Sequence, residues 1–175
     1  MGLRPGRIYR DVPGQPYTRM SQKSDNDNYI SGAPAPKITI FETGDKTGEY
    51  DSHIVLKVDE ECCIRSNALE SARVAANSYL SRNLTMEDYH LKVKPYPHHV
   101  LRHHPLAGVA QADRYYEGMR KPFGRPIGRG AIVDEDQEIL LVRVDSSDTD
   151  VARKAADRAG MKIPVNFRVH RKDQD

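Results

Sequence analysis

The stretch ILLVRVDSSDTDVARKAADRAG, residues 139–160, decides the fold. Five of its first six residues are β-branched or aliphatic, and the run reads as a buried strand. Asp148 then stands where a helix N-cap belongs. Ala152, Ala155, Ala156 and Ala159 follow at spacings of three and four, one narrow apolar stripe. Asp148 and Asp150 fall in the first turn, Lys154 and Arg158 further along, and Gly160 marks the stop. A buried strand feeding a helix lined only by alanine implies a sheet with a helix packed closely on it.

The same grammar extends outward. Lys37–Phe41 alternates and reads as a strand, and Gly44 to Gly48 with Asp45 as a turn. His53–Val58 is a second strand, with Cys62-Cys63-Ile64 as its continuation. Residues 67–82 form a helix. Asn67 and Glu70 suit a capping box, and Leu69, Ala72, Ala76 and Leu80 form its stripe. Tyr89, Leu91 and Val93 alternate with His90, Lys92 and Lys94, a strand with a basic outer face. Residues 95–101 continue it as an extended edge, and Val165, Phe167 and Val169 close the fold. The expectation is α+β: two layers, a mixed or antiparallel sheet with two helices on one face. Residues 37–175 form this single domain, and residues 1–36 precede it as an extended arm.

Composition bounds the function. Of the 175 residues 38% are hydrophobic, a lean core. No apolar run is long enough to span a membrane, and the basic N-terminus lacks the apolar stretch of a secretory signal. Cys62 and Cys63 are adjacent, so a disulfide between them is geometrically poor and C-x-x-C spacing is absent. They read as two reduced thiols on a strand.

The net charge of +2 hides a segregation: residues 1–23 carry +4, 24–91 carry −6, 92–130 carry +6 and 131–175 carry −2. Cationic segments alternating with acidic ones point to a polyanion partner. The arm sets Arg4, Arg7, Arg10 and Arg19 among Tyr9 and Tyr17, with too few aliphatic residues to order itself. Arginine binds phosphate bidentately and tyrosine stacks on bases, so an arm that orders on RNA fits. Residues 101–130 are broken by five glycines and three prolines and read as a long basic loop. Arg102, Arg114, Arg120, Lys121, Arg125 and Arg129 give it charge, and Tyr115, Tyr116 and Phe123 give it flat surfaces.

Five histidines, His90, His98, His99, His103 and His104, cluster along the basic segment. Adjacent pairs diverge, and no Cys, Asp or Glu stands at ligand spacing, so RNA contact is preferred to a metal site. Phosphate-loop, H-E-x-x-H and G-x-S-x-G motifs are absent. No catalytic residue, metal or cofactor is expected.

Several blocks in order resemble a ribosomal family. Gly118-Met119-Arg120, then Phe123-Gly124-Arg125-Pro126 and Gly128, is similar to the GMRxxFGxPxG signature of the large-subunit protein of the archaeal/eukaryotic "L ten e" type, related to bacterial "L sixteen". Arg7–Arg10, Tyr17-Thr18-Arg19, Gly32-Ala33-Pro34, Lys37-Ile38, Leu69–Arg73, Ala76-Asn77, Pro97–Arg102 and Ala112-Asp113-Arg114 match in the same order. Ser21–Asn28, SQKSDNDN, departs from it, as does the loop's HHPLAG.

The resemblance implies an α/β-hammerhead fold. It also implies a cytoplasmic place in the ribosome, on large-subunit rRNA near the central protuberance, 5S rRNA and the tRNA cleft. rRNA contact is expected at Arg4, Arg7, Tyr9, Arg10, Tyr17, Arg19, Lys92, Lys94, His98, His99, Arg102, Arg120, Lys121, Phe123, Gly124, Arg125, Gly128 and Arg129. A loop of about residues 103–116, with His103, His104, Gln111, Asp113, Arg114, Tyr115 and Tyr116, is expected to face tRNA and the peptidyl-transferase region. Other partners are neighbouring ribosomal proteins, with no stable homo-oligomer. The alternative is an RNA-binding regulator acting outside the ribosome.

Overall fold

The computed structural model describes residues 5–12, 30, 32–103 and 124–172. Among these residues eight strands and two α-helices follow in order: β1 (Glu42–Gly44), β2 (Ser52–Val58), β3 (Cys62–Arg65), α1 (Ser66–Asn83), β4 (Tyr89–Val93), β5 (His99–His103), β6 (Arg125–Val133), β7 (Glu138–Val144), α2 (Thr149–Gly160) and β8 (Phe167–Lys172). The α+β class holds, and every strand pair is antiparallel. There are two sheets where one was expected: a five-stranded sheet in the order β1-β4-β7-β2-β8 and a three-stranded sheet in the order β3-β6-β5.

β7 occupies the middle of the larger sheet because residues 139–142 are buried on both sides. On one face Leu140, Val142 and Val144 align with Leu56, Ile54 and Ser52 of β2 and with Val93, Leu91 and Tyr89 of β4. Both helices belong to the core on this face, through Leu69, Ala72, Ala76 and Leu80 of α1 and Ala152, Ala155, Ala156 and Ala159 of α2. Both alanine stripes are fully buried, as their spacing predicts. Small side chains let the helices pack closely on each other and on the strands. Arg158 also lies over the Tyr79 ring at 4.1 Å, a cation–π contact between the helices. The Tyr89 hydroxyl donates to Asn77 Oδ1 at 2.8 Å, tying β4 to α1.

Four local expectations need correction. Lys37–Phe41 is not a strand; β1 begins at Glu42, and Ile38 is buried from a non-strand segment. Cys62-Cys63-Ile64 does not continue β2. A turn at residues 59–61, held by the Asp59 N–H to Asn166 C=O bond at 3.1 Å, passes the chain to the second sheet. The Asn67–Glu70 capping box does not form: β3 runs directly into α1, Arg65 takes the N-cap, and Glu70 accepts from Arg73 at 2.6 and 3.0 Å. Asp148 does hold the N-cap position of α2, without a capping hydrogen bond from its side chain. His90, placed on an outer face, is buried.

The long loop also narrows. Residues 101–103 belong to β5 and residues 125–133 to β6, a pair running from His99↔Gly130 to His103↔Arg125. Only its middle, residues 104–123, lies outside the described residues.

Candidate nucleic-acid interface

The three-stranded sheet is built by glycine and by borrowed bulk. Its inner face, with Cys62, Ile64, Ala131 and Val133, joins the main core. On its outer face, strand alternation places Cys63, Leu101, Gly128, Gly130 and Ile132. A Cβ on Gly130 would meet Cys63 Sγ at 2.8 Å and the Ile64 carbonyl oxygen at 3.2 Å, so only glycine fits. A Cβ on Gly124 would meet the His103 backbone at 2.8 to 3.0 Å, where β6 closes on β5. Gly128 differs: nothing lies within 4 Å of its Cβ position.

The N-terminal segment supplies the missing bulk. Residues 6–8 make a 3-10 turn, and Tyr9 then packs on Cys63 and Leu101, with Ile132 beside them. The Arg10 carbonyl accepts the Cys63 N–H at 2.8 Å, extending the sheet at the β3 edge. Arg10 also pairs with Glu60 at 2.5 Å. Tyr9, expected as a base-stacking ring, is 6% exposed, which leaves its ring no open face for a base.

The two sheets differ in charge. Strands β3, β5 and β6 hold Arg65, Arg102, Arg125 and Arg129 with His99 and His103, and contain no Asp or Glu. In the five-stranded sheet, by contrast, cations meet acids. Lys92 pairs with Glu42 at 2.8 Å and Lys46 with the same carboxylate at 2.6 Å, which together hold the Glu42 carboxyl down to about 2. Lys94 and Lys172 pair with Glu138, and the Lys94 bond holds that carboxyl below its ordinary range. Arg168 bridges Asp59 and Asp136.

The expected contact residues therefore divide. Arg125 is exposed at the mouth of the β5–β6 pair, and Arg102 and His103 are half-buried beside it. Arg129 is half-buried and donates from Nε to the Pro34 carbonyl at 2.9 Å. Arg7 is exposed on the docked N-terminal turn. His98 is exposed, its Nδ1 3.0 Å from the Tyr96 carbonyl oxygen, whereas His99 is buried. Arg4, Tyr17, Arg19, His104, Gln111, Asp113, Arg114, Tyr115, Tyr116, Arg120, Lys121 and Phe123 lie outside the described residues. Arg65 was missed. It stands opposite Gly130, and its guanidinium lies 3.2 Å from where a Gly6 Cβ would be. One arginine at the end of an apolar strand gives no periodic signal.

Guanidinium groups on strands without Asp or Glu suit phosphate, because each can fork two hydrogen bonds to one group. Cys62 is buried, which pushes its thiol up to about 11. Among the described residues, no three His, Cys, Asp or Glu side chains gather as a metal site, and no helix is long and apolar enough to cross a membrane.

Comparison with known proteins covers nearly the whole chain. The family model for ribosomal protein L16p/L10e matches residues 14–170. The large ribosomal subunit protein uL16 of Staphylothermus marinus is 44% identical over 169 residues, 97% of this chain and 93% of its own. That of Archaeoglobus fulgidus is 39% identical, covering 97% and 92%, and that of Thermofilum pendens is 40% identical, covering 97% and 96%.

Proposed function

Since the chain belongs to the ribosomal protein L16p/L10e family, whose members are large-subunit ribosomal proteins and not enzymes, we propose that it binds large-subunit rRNA through its three-stranded sheet. The acid-free charge of β3, β5 and β6 carries this reading. The basic residues of the sequence segments 1–36 and 104–123 add cations to this reading. In this reading the chain sits by the central protuberance near 5S rRNA, beside neighbouring ribosomal proteins. The loop of residues 103–116 is directed at tRNA and the peptidyl-transferase region. The hammerhead architecture that the sequence resemblance implies belongs to the same proposal.

Phosphate neutralisation releases counterions, so affinity falls with salt in proportion to the contacts made. Arg125→Ala and Arg129→Ala should each weaken binding to purified large-subunit rRNA and lower the slope of log affinity against log salt by about 1. Binding isotherms at several salt concentrations check this. Lys92→Ala and Lys94→Ala, whose cations already face carboxylates, should change the slope less. Equal slopes for all four variants would contradict the assignment to the smaller sheet. Crosslinking to mRNA in place of rRNA would favour a regulator outside the ribosome.

A further inference from the structure

The connector from β4 to β5, Lys94–His98, reads KPYPH and carries the chain from one sheet to the other. Pro95 and Pro97 are buried, while Lys94, Tyr96 and His98 are exposed. Each proline fixes its own φ, so the backbone displaying Tyr96 is set before any partner arrives. Hydrogen bonds hold the approach to it: the Val93 N–H donates to the Phe41 carbonyl at 2.8 Å and the Lys94 N–H to the Ile139 carbonyl at 3.0 Å. The Tyr96 ring lies against Phe41 with centroids 5.7 Å apart and 32° between the planes. Phe41 is half-buried against the core. Tyr96 is 53% exposed, with Ile40 also exposed nearby in sequence to Phe41.

A lone exposed tyrosine needs no explanation. This one is backed by a second ring, flanked by two buried prolines and carried on a run, residues 89–103, that contains no Asp or Glu. A rigid exposed ring held from behind by a second ring fits a planar group such as an unpaired base. We propose that Tyr96, backed by Phe41, is the seat on which one unpaired RNA base stacks, a contact separate from the guanidinium groups of the smaller sheet. The proposal rests on the rRNA-binding reading and adds the kind of contact made. Aromatic rings take unstacked bases in this way without reading their sequence.

The chain contains no tryptophan, so Tyr96→Trp introduces a single reporter. Its emission is followed while purified large-subunit rRNA is titrated, with filter binding of the labelled rRNA measured in parallel. The expected result is quenching that saturates with binding. Tyr96→Ala should bind roughly five- to a hundredfold more weakly, with an unchanged salt slope and unchanged melting temperature. Tyr96→Phe should restore wild-type affinity. Unchanged emission with normal rRNA binding, or wild-type affinity in Tyr96→Ala, overturns the proposal. So does quenching by ribosomal proteins but not by rRNA, which would make the seat a protein contact. Absence of any wild-type binding on the filter would instead bring down the rRNA-binding reading and the seat with it.

Discussion

His90 is 3% exposed, and neither ring nitrogen has a hydrogen-bond partner among the described residues. Burial first, then the positive charge of Arg143 opposite it in register, press its pKa below the ordinary 6.5; Lys92 and Lys46 add to this and Glu42 opposes it. His53, on the other side of Arg143, is lowered by burial, Arg143 and Lys172. For both residues the unfolded chain takes the proton first. Their contribution to stability is therefore complete above the unfolded value of 6.5 and is lost as pH falls below it. Thermal melts from about pH 7.5 to about pH 5 should show a falling melting temperature, and His90→Leu should flatten part of that fall. A constant offset between variant and wild type at every pH would contradict it. Two glycines of β6 give a second residue-scale contrast. Gly130→Ala forces a methyl group onto Cys63 and the Ile64 backbone and should cost about 1–3 kcal/mol in denaturant unfolding. Gly128→Ala meets nothing in the chain, so unfolding should barely change. Equal losses for the two would show that the β6 backbone, and not local space, sets the cost.

At the scale of elements, the strand–helix passage of residues 139–160 was legible almost to the residue, because burial on both faces and an alanine stripe are strong local signals. Leu69, Ala72, Ala76 and Leu80 were legible for the same reason. β1 was not: three half-buried residues become a strand only through their register with β4, whereas the alternation of Lys37–Phe41 reflects side-chain burial at Ile38 without a ladder. β5 and β6 hid inside a run of Gly, Pro and Arg. Their outer face keeps no hydrophobic period because Tyr9, 92 residues before Leu101, supplies its cover. Sequence periodicity cannot register bulk lent from so far along the chain. That dependence is testable. Tyr9→Ala should expose Cys63 and raise its rate of alkylation, while Cys62, held on the inner face with its thiol pushed up to about 11, stays inert. Mass spectrometry of the alkylated peptide distinguishes the two thiols. Unchanged labelling of Cys63 would show that the segment does not shield it.

At the scale of the whole molecule, the net charge of +2 describes neither sheet. The five-stranded sheet carries cations set against Glu42, Glu138, Asp59 and Asp136, so it presents little charge of its own to a polyanion. Strands β3, β5 and β6 contain arginine and histidine and no Asp or Glu, and residues 1–23 and 92–130 are the basic segments of the sequence. The cations of the larger sheet thus already face carboxylates, and the strands of the smaller sheet, which contain no Asp or Glu, are where a phosphate partner is proposed to meet the chain. The proposed place of the smaller sheet against rRNA is the central claim. A density map of the large ribosomal subunit purified from cells that make this chain tests it most directly. The account predicts the chain in the map with β5 and β6 against rRNA phosphates, Arg125 and Arg129 within hydrogen-bonding reach of them, and the five-stranded sheet further away. Absence of the chain from the subunit, or its presence with β5 and β6 turned to solvent, would contradict it.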